Sequence, residues 1–308
     1  MRQGEVGSKG VWKGSPLGGV RAPDAIILPN PATRFDNTAA RLDALSVGHP
    51  MADWLRFMAR LAASQHDAAV RPVSYAGPSQ VAVEQALSAG IPPLAAELHQ
   101  RDPAWRDGMT VLLDGSDAAA MPAPARAVIA SLRGQEVDVV EGLADGFLHG
   151  SLAAADAGAA LYVAAAMQVY FTRLAATLPV SSLRLLPQRG LCPCCGAAPV
   201  SGVVTNSGQT PGARYLYCSL CGTAWNHVRA VCITCGESRS IVLKAIEGGS
   251  DAVKAEACND CHTYAKMLYP SQDMGLDPFA DDLATLGLDV LVAEAGWSRH
   301  AANPLLLI

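Results

Sequence analysis

The chain has 308 residues, a formal net charge of −5 and a mean hydropathy of +0.20, and half of its residues are hydrophobic. That length allows one large or two medium domains with an ample core, and that hydrophobicity excludes a disordered chain. The negative balance leaves no global basic field to attract nucleic acid. The longest apolar run, residues 157–167, falls short of the roughly 20 residues that span a bilayer, so no membrane insertion is expected.

Residues 1–22 are rich in glycine and basic side chains and lack periodicity, which predicts a mobile tail. They carry no cleavable signal or twin-arginine motif, so a cytoplasmic protein is expected. Ile26 to Pro31 reads as an extended lead-in, followed by a helix over 32–46. Pro50 suits the first turn of a second helix. There Trp54, Phe57, Met58, Leu61 and Ala62 fall at helical spacing and form an apolar stripe, read as plain core. Further helical pieces are expected at 79–89, 92–101, 103–113, 122–132 and 135–149, separated by Gly-Pro, Pro-Pro and Asp-Pro breaks. The longest helix runs from Asp156, a candidate cap, to Leu178 before Pro179; its small residues place it centrally.

All nine cysteines lie between residues 192 and 261, eight of them in the C-x-x-C pairs Cys192/Cys195, Cys218/Cys221, Cys232/Cys235 and Cys258/Cys261. The stretch is two copies of one pattern offset by 40 residues, with Gly196 matched by Gly236 and Thr223 by Thr263. Four thiolates satisfy a tetrahedral metal with metal–sulfur distances of about 2.3 Å. Each copy then reads as a small ribbon clamped by one metal. Residues 199–204 and 213–217 form the first hairpin, and residues 241–246 and 253–256 the second. A disulfide framework would need an oxidising compartment. Cross-braced pairing would also fill both sites, but a duplicated unit is expected to carry its own complete one. Zinc and mononuclear iron both suit such a site.

Six Lys/Arg against five Asp/Glu between residues 190 and 270 leave no basic stripe for a nucleic-acid ribbon. No dinucleotide fingerprint, phosphate loop, nucleophile elbow or H-E-x-x-H motif is present. His227 and His262 are read as surface polar residues, and Asp281-Asp282 as a solvated helix start. Cys194, whose counterpart is Thr234, is a spare thiol, a substitute ligand or a tolerated small apolar residue, the last being favoured. A final helix over 280–295 is expected to dock on the helical domain, and the apolar end at 303–308 to pack.

With the knuckles placed, the chain resembles the formate dehydrogenase accessory (FdhE) family. The resemblance rests on Gly48-His49-Pro50 with Trp54-Leu55-Arg56-Phe57, on Cys192-Pro193-Cys194-Cys195-Gly196, and on Arg214 to Cys221 with Trp225. It continues in Cys232-Ile233-Thr234-Cys235-Gly236, Cys258-Asn259-Asp260-Cys261 with Tyr264, Ala280 to Ala284 and Asn303-Pro304. Cys194 and the glycine-rich start depart from the family pattern. The resemblance implies a cytoplasmic, non-enzymatic assembly protein that binds the catalytic subunit of respiratory formate dehydrogenase before export. It also implies two rubredoxin-like sites, iron favoured over zinc, held by Cys192, Cys195, Cys218, Cys221, Cys232, Cys235, Cys258 and Cys261. The alternative is a rubredoxin-like redox protein passing electrons or exchanging thiols.

The expected fold class is α plus small metal-ribbon modules. A tail at 1–22 precedes a helical domain at 23–185, four-cysteine ribbons at 186–229 and 230–270, and a C-terminal helical segment at 271–308. The expected partner is the formate dehydrogenase catalytic subunit, with neither nucleic acid nor membrane, and a homo-oligomer is compatible with the reading.

Overall fold

A computed structural model of the chain describes residues 22–116, 121–206 and 210–306. The expected tail lies, up to residue 21, outside the described residues, as do the centre of the first hairpin turn and the last two residues. Among the described residues seven α-helices precede the cysteine repeat: α1 (Arg34–Ser46), α2 (Ala52–Val70), α3 (Gln80–Ser88), α4 (Trp105–Ser116), α5 (Ala123–Arg133), α6 (Val137–Leu148) and α7 (Ala157–Ala176). The stripe of α2 behaves as its period requires, with Met58, Leu61 and Ala62 buried and Trp54 and Phe57 half-buried against the same core. Ser79 caps α3 by accepting from the N–H of Ala82 at 3.2 Å. Asp156 does not cap α7; it ends a short 3-10 turn, Ala154–Asp156, and makes no side-chain cap bond.

α7 is the central post, buried almost all round, with α2, α4 and α6 packed on it. Residues 154–176 are long and apolar enough to cross a membrane by length and composition, and 78% of their most apolar 18-residue window is buried inside the fold. Its alanines let neighbours approach closely, and Gln65 of α2 reaches across to the carbonyl of Ala165 and to Gln168 at 3.0 and 2.9 Å.

The helix expected over residues 92–101 is absent. Pro92 and Pro93 contribute no N–H donors, and the N–H groups of Leu94 and Ala96 donate to the carbonyls of Cys194 and Cys195 at 2.8 and 2.9 Å. Alternate residues of this segment are therefore spent on the first cysteine knuckle, a demand that a helical hydrogen-bond ladder could not meet.

The cysteine repeat folds as expected and then goes further. Each hairpin gains a third strand, giving β2 (Pro199–Val204), β3 (Arg214–Cys218) and β4 (Ala224–Asn226), then β5 (Ile241–Lys244), β6 (Val253–Cys258) and β7 (Thr263–Leu268). The extended lead-in supplies β1 (Ile26–Ile27), antiparallel to β4. The two ribbons fuse where β2 and β7 run parallel, Gly202 beside Met267 and Val203 beside Leu268. Together with β8 (Ser298–Arg299), which pairs with β7, the described residues form one eight-stranded sheet in the order β1-β4-β3-β2-β7-β6-β5.

The last helix divides at Thr285 into α8 (Ala280–Ala284), packed on α1, and α9 (Leu286–Glu294), whose Leu288 and Val292 bury against Val253, Ala255 and Leu268 of the second ribbon. Asp281 and Asp282 are not solvated. Asp281 pairs with Arg41 at 2.8 Å, while Asp282 is fully buried among Lys266, Arg299 and Asn303. A buried carboxylate is tolerated only with such compensation. All of these partners except Arg41 come from the strands and tail that follow the cysteines, beyond the reach of local pattern.

Candidate functional site

The chain turns sharply at each knuckle. Gly196 and Gly236 sit at φ +80° and +79°, and their N–H groups donate to the carbonyls of Cys192 and Cys232 at 2.9 and 3.0 Å. Strands β3 and β6 then deliver Cys218 and Cys258 at their ends, which returns the second pair of each copy to the first. The result is two separate groups, Cys192, Cys195, Cys218 and Cys221 in one, and Cys232, Cys235, Cys258 and Cys261 in the other. Pairing is thus sequential within each copy and not cross-braced.

In each group the four sulfurs lie within 4.8 Å of one another. Cys192 and Cys221 are 3.5 Å apart and Cys195 and Cys218 3.4 Å, against 3.6 Å for Cys232–Cys261 and 3.7 Å for Cys235–Cys258. A tetrahedron with metal–sulfur bonds of 2.3 Å has sulfur–sulfur edges of about 3.8 Å. The residues present therefore fit two metal ions with only a slight outward adjustment. The same spacing is far longer than the roughly 2.05 Å of a disulfide, and all nine cysteines are free thiols.

The thiols are primed unequally. Burial pushes Cys192, Cys195 and Cys218 well above the ordinary thiol range. Cys221 bears the same burial, but hydrogen bonds from those three thiols and from Thr223 hold it well below. In the second group burial opposes ionisation of Cys232, while the N–H groups of Cys235 and Thr234 bring it down to about 7. At Cys235 the N–H of Glu237 pulls downward, yet desolvation and the thiols of Cys261, Cys232 and Cys258 raise it to about 12. Each cage thus has one thiol whose ionisation its neighbours favour, Cys221 or Cys232, and an entering cation displaces the protons that remain.

Sequence reading noted the match of Thr223 with Thr263 without a role for it. The Thr223 hydroxyl oxygen accepts from the Cys221 thiol at 3.1 Å, and the Thr263 hydroxyl lies 3.1 Å from the Cys261 sulfur. Thr263 extends into a chain through Thr234 at 2.8 Å to His300 Nδ1 at 2.7 Å. Cys194 takes the place of Thr234 in the first copy, and it is fully buried in the main core and outside the four-sulfur group.

Arg34 of α1 was not singled out by sequence. It lies buried beneath the first cage, with Nη1 donating to the carbonyl of Leu220 at 2.9 Å and to Thr172, and its plane against Phe35 and Phe279. Burial lowers its pKa to about 10 against the opposing charges of Cys221 and Cys218. It stays cationic at neutral pH, next to a cage that is doubly negative when four thiolates hold a divalent ion. Its partners are 138 and 186 residues away, so no spacing could have revealed it.

The expectation for His227 is corrected. It is buried, with Nδ1 2.6 Å from Arg214 Nη2 and 3.0 Å from the carbonyl oxygen of Val228. Burial, opposed by the Val228 carbonyl and aided by the Arg214 charge, brings its pKa down to about 4. Arg214 also donates to the carbonyls of Val228 and Val231 and pairs with Glu256 of β6. One guanidinium therefore ties the linker between the cages to both ribbons. His262 is exposed, as expected.

The cages differ in exposure. The first is buried throughout, whereas Cys235 of the second is exposed and Cys261 partly so. Beside the first cage lies a cavity of about 1160 Å³, with Ile91, Leu98, Leu148, Leu186, Leu220 and Leu306 among its lining.

Three family models match in succession: FdhE, N-terminal, over residues 23–187; FdhE, central domain, over 191–229; and FdhE, C-terminal domain, over 230–306. A protein FdhE homolog of Edwardsiella ictaluri is 39% identical over 286 residues, covering 91% of each chain. One from Rhizobium meliloti is 34% identical over 297 residues, covering 95% of this chain and 96% of its own. The crystal structure of the FdhE protein from Pseudomonas aeruginosa superimposes with a TM-score of 0.84 at 32% identity, over 92% of this chain and 99% of that one.

Proposed function

We propose, on the premise that the chain belongs to the FdhE family of formate dehydrogenase accessory proteins, that it acts in the cytoplasm on the catalytic subunit of a respiratory formate dehydrogenase, binding it before export. The observation that carries this reading is the unbroken succession of the three FdhE regions across residues 23–306, both four-cysteine groups included.

The cages support a binding role over catalysis. Four protein sulfurs fill a tetrahedral metal and leave no position for substrate, which is the arrangement of a structural site. We assign one ion to Cys192, Cys195, Cys218 and Cys221 and one to Cys232, Cys235, Cys258 and Cys261, with iron favoured over zinc on the family resemblance. Each ion staples a ribbon, 186–229 or 230–270, too small to build a core of its own. The client surface we propose is the apolar cavity beside the first cage. Its walls come from the helical region, the first knuckle and residues 301–306 together, and Leu98 on its rim is 80% exposed. An opening of that size and apolarity suits a protein segment better than a small metabolite.

The test is affinity capture of the tagged protein from its own cells, grown and lysed without oxygen, with partners identified by mass. Recovery of a formate dehydrogenase catalytic subunit, lost on Leu98→Asp, is the expected result. Recovery of a reductase or small electron carrier in its place would overturn it. That outcome would favour the redox reading, for which the exposed Cys235 is the specific support, since it brings the second cage to the surface.

A further inference from the structure

Arg34 brings a positive charge into the wall of the first cage. Its Nη1 donates to the carbonyl of Leu220 at 2.9 Å, and its Cδ, Nε and Cζ lie where Gly222 has no Cβ to exclude them. Both residues that flank Cys221 therefore rest on one guanidinium. The adjoining carbonyl of Ser219 receives only a neutral donor, the amide of Gln168 at 2.8 Å. Among the described residues Arg34 forms no ion pair, and its side-chain hydrogen bonds go to Thr172 and Leu220. Asp277 bears on it from beyond ion-pair range. That carboxylate is held instead by Thr38 at 3.1 Å and by the N–H groups of Phe279 and Ala280 at 3.0 and 2.8 Å.

A buried cation without a partner is costly. Here the opposing charge is the cage, since Arg34 bears on Cys221, Cys218 and Cys195. Four thiolates carry one net negative charge around a trivalent ion and two around a divalent one. Burial of the cage disfavours the more highly charged state, and Arg34 offsets that cost. The second cage is built differently. Arg214 bears on Cys232, but its charge is taken up by Glu256 of β6. Exposed His262 holds the place of Gly222 there, with no guanidinium laid across it. The duplication thus repeats the sulfurs and not their electrostatic setting.

We propose that Arg34 is the counter-charge of the first cage, favouring a divalent over a trivalent ion and so raising the reduction potential of iron held in that cage alone. The inference rests on the assignment of one ion to each cage. The step concerned is the entry of one electron from an external reductant, which takes the cage from one net negative charge to two. No bond forms or breaks. No proton need follow the electron, because the guanidinium stands opposite the added charge in both states.

The test is a mediated redox titration of the full chain, loaded with iron in the absence of oxygen, reduced with dithionite and read by its visible absorption. Arg34→Met should shift the equilibrium of one iron at least about tenfold toward the trivalent ion, about 60 mV lower for one electron, and leave the other iron unmoved. Arg34→Lys keeps the charge but loses the fork, and should stay within about threefold of the native value. Asp277→Asn leaves Arg34 and its bonds in place and removes an opposing charge, so the same iron should move upward. A merely structural role would follow the lost hydrogen bonds instead, with Lys as disturbed as Met and Asn without effect. The iron count checks the cage assignment separately. Fewer than two irons in the native chain would overturn that assignment and this inference with it. Two irons that ignore Arg34→Met and Asp277→Asn, or that shift together, would overturn this inference alone.

Discussion

The guanidinium of Arg34 lies across Gly222, the residue that follows Cys221 in the first cage. A Cβ at position 222 would stand 2.9 Å from Cδ, Nε and Cζ of Arg34, and the backbone there has φ +75°. Gly222→Ala therefore adds left-handed strain to a clash with a buried, hydrogen-bonded group, and should cost about 2–4 kcal/mol. Gly236→Ala is the control, because it has a similar φ of +79° with nothing within 4 Å of the new Cβ. Only the strain of about 1–2 kcal/mol applies to it. Urea unfolding of the metal-loaded proteins checks the difference, and equal losses would remove Arg34 from the account.

The unequal burial of the two cages predicts unequal metal loss. Attack on the first requires the main core to open, whereas a chelator can reach the second directly at exposed Cys235. Every 1.4 kcal/mol of opening free energy slows release about tenfold. Two phases well separated in rate are expected with a coloured chelator, one metal equivalent in each. Cys235→Ser should delete the fast phase alone, and a single phase for both equivalents would contradict the assignment.

The four knuckles were legible because metal chemistry dictates residue type and spacing over a few positions, and the α2 stripe because a helix repeats its buried face every turn. What escaped reading depends on partners far along the chain. Residues 92–101 lose their helix to carbonyls a hundred positions away, and β7 carries Lys266, an unpromising core residue until Asp282 and Asp289 meet it. The glycine rule also failed to reach the last knuckle. His262 holds at φ +52° the place that Gly222 fills in the first copy, so the repeat obscured a shared conformation by changing the residue.

The Asp282 carboxylate offers a direct measure of that long-range term. It is fully buried, 3.2 Å from the equally buried ammonium of Lys266, and it also pairs with Arg299 and accepts from Asn303 at 2.7 Å. Asp282→Asn leaves Lys266 and Arg299 short of one counter-charge and should destabilise the fold by about 3 kcal/mol. The pair between half-buried Lys254 and exposed Asp251 is the comparison, and Asp251→Asn should cost less than about 1 kcal/mol. Chemical unfolding at pH 7 separates the two, and a loss at Asp282 no larger than at Asp251 would mean that the cluster is not stabilising.

His227 gives the fold an acid sensitivity whose sign can be worked out. Its pKa falls from an ordinary 6.5 to about 4, because burial and the Arg214 charge disfavour the imidazolium. An unfolded chain therefore binds a proton at this position before the folded one does. The stabilisation is complete above pH 6.5, shrinks as the pH falls, and is gone below about 4. Allowing for partial solvent screening, its full size is about 2 kcal/mol. His227→Gln keeps an acceptor for Arg214 and cannot titrate. Unfolding free energies of both proteins at pH 7, 5.5 and 4.5 should converge as the pH falls, with the native chain losing its lead. Parallel pH profiles would show that the imidazole is already free to protonate in the folded state, and the Arg214 contact would then have to open near neutral pH.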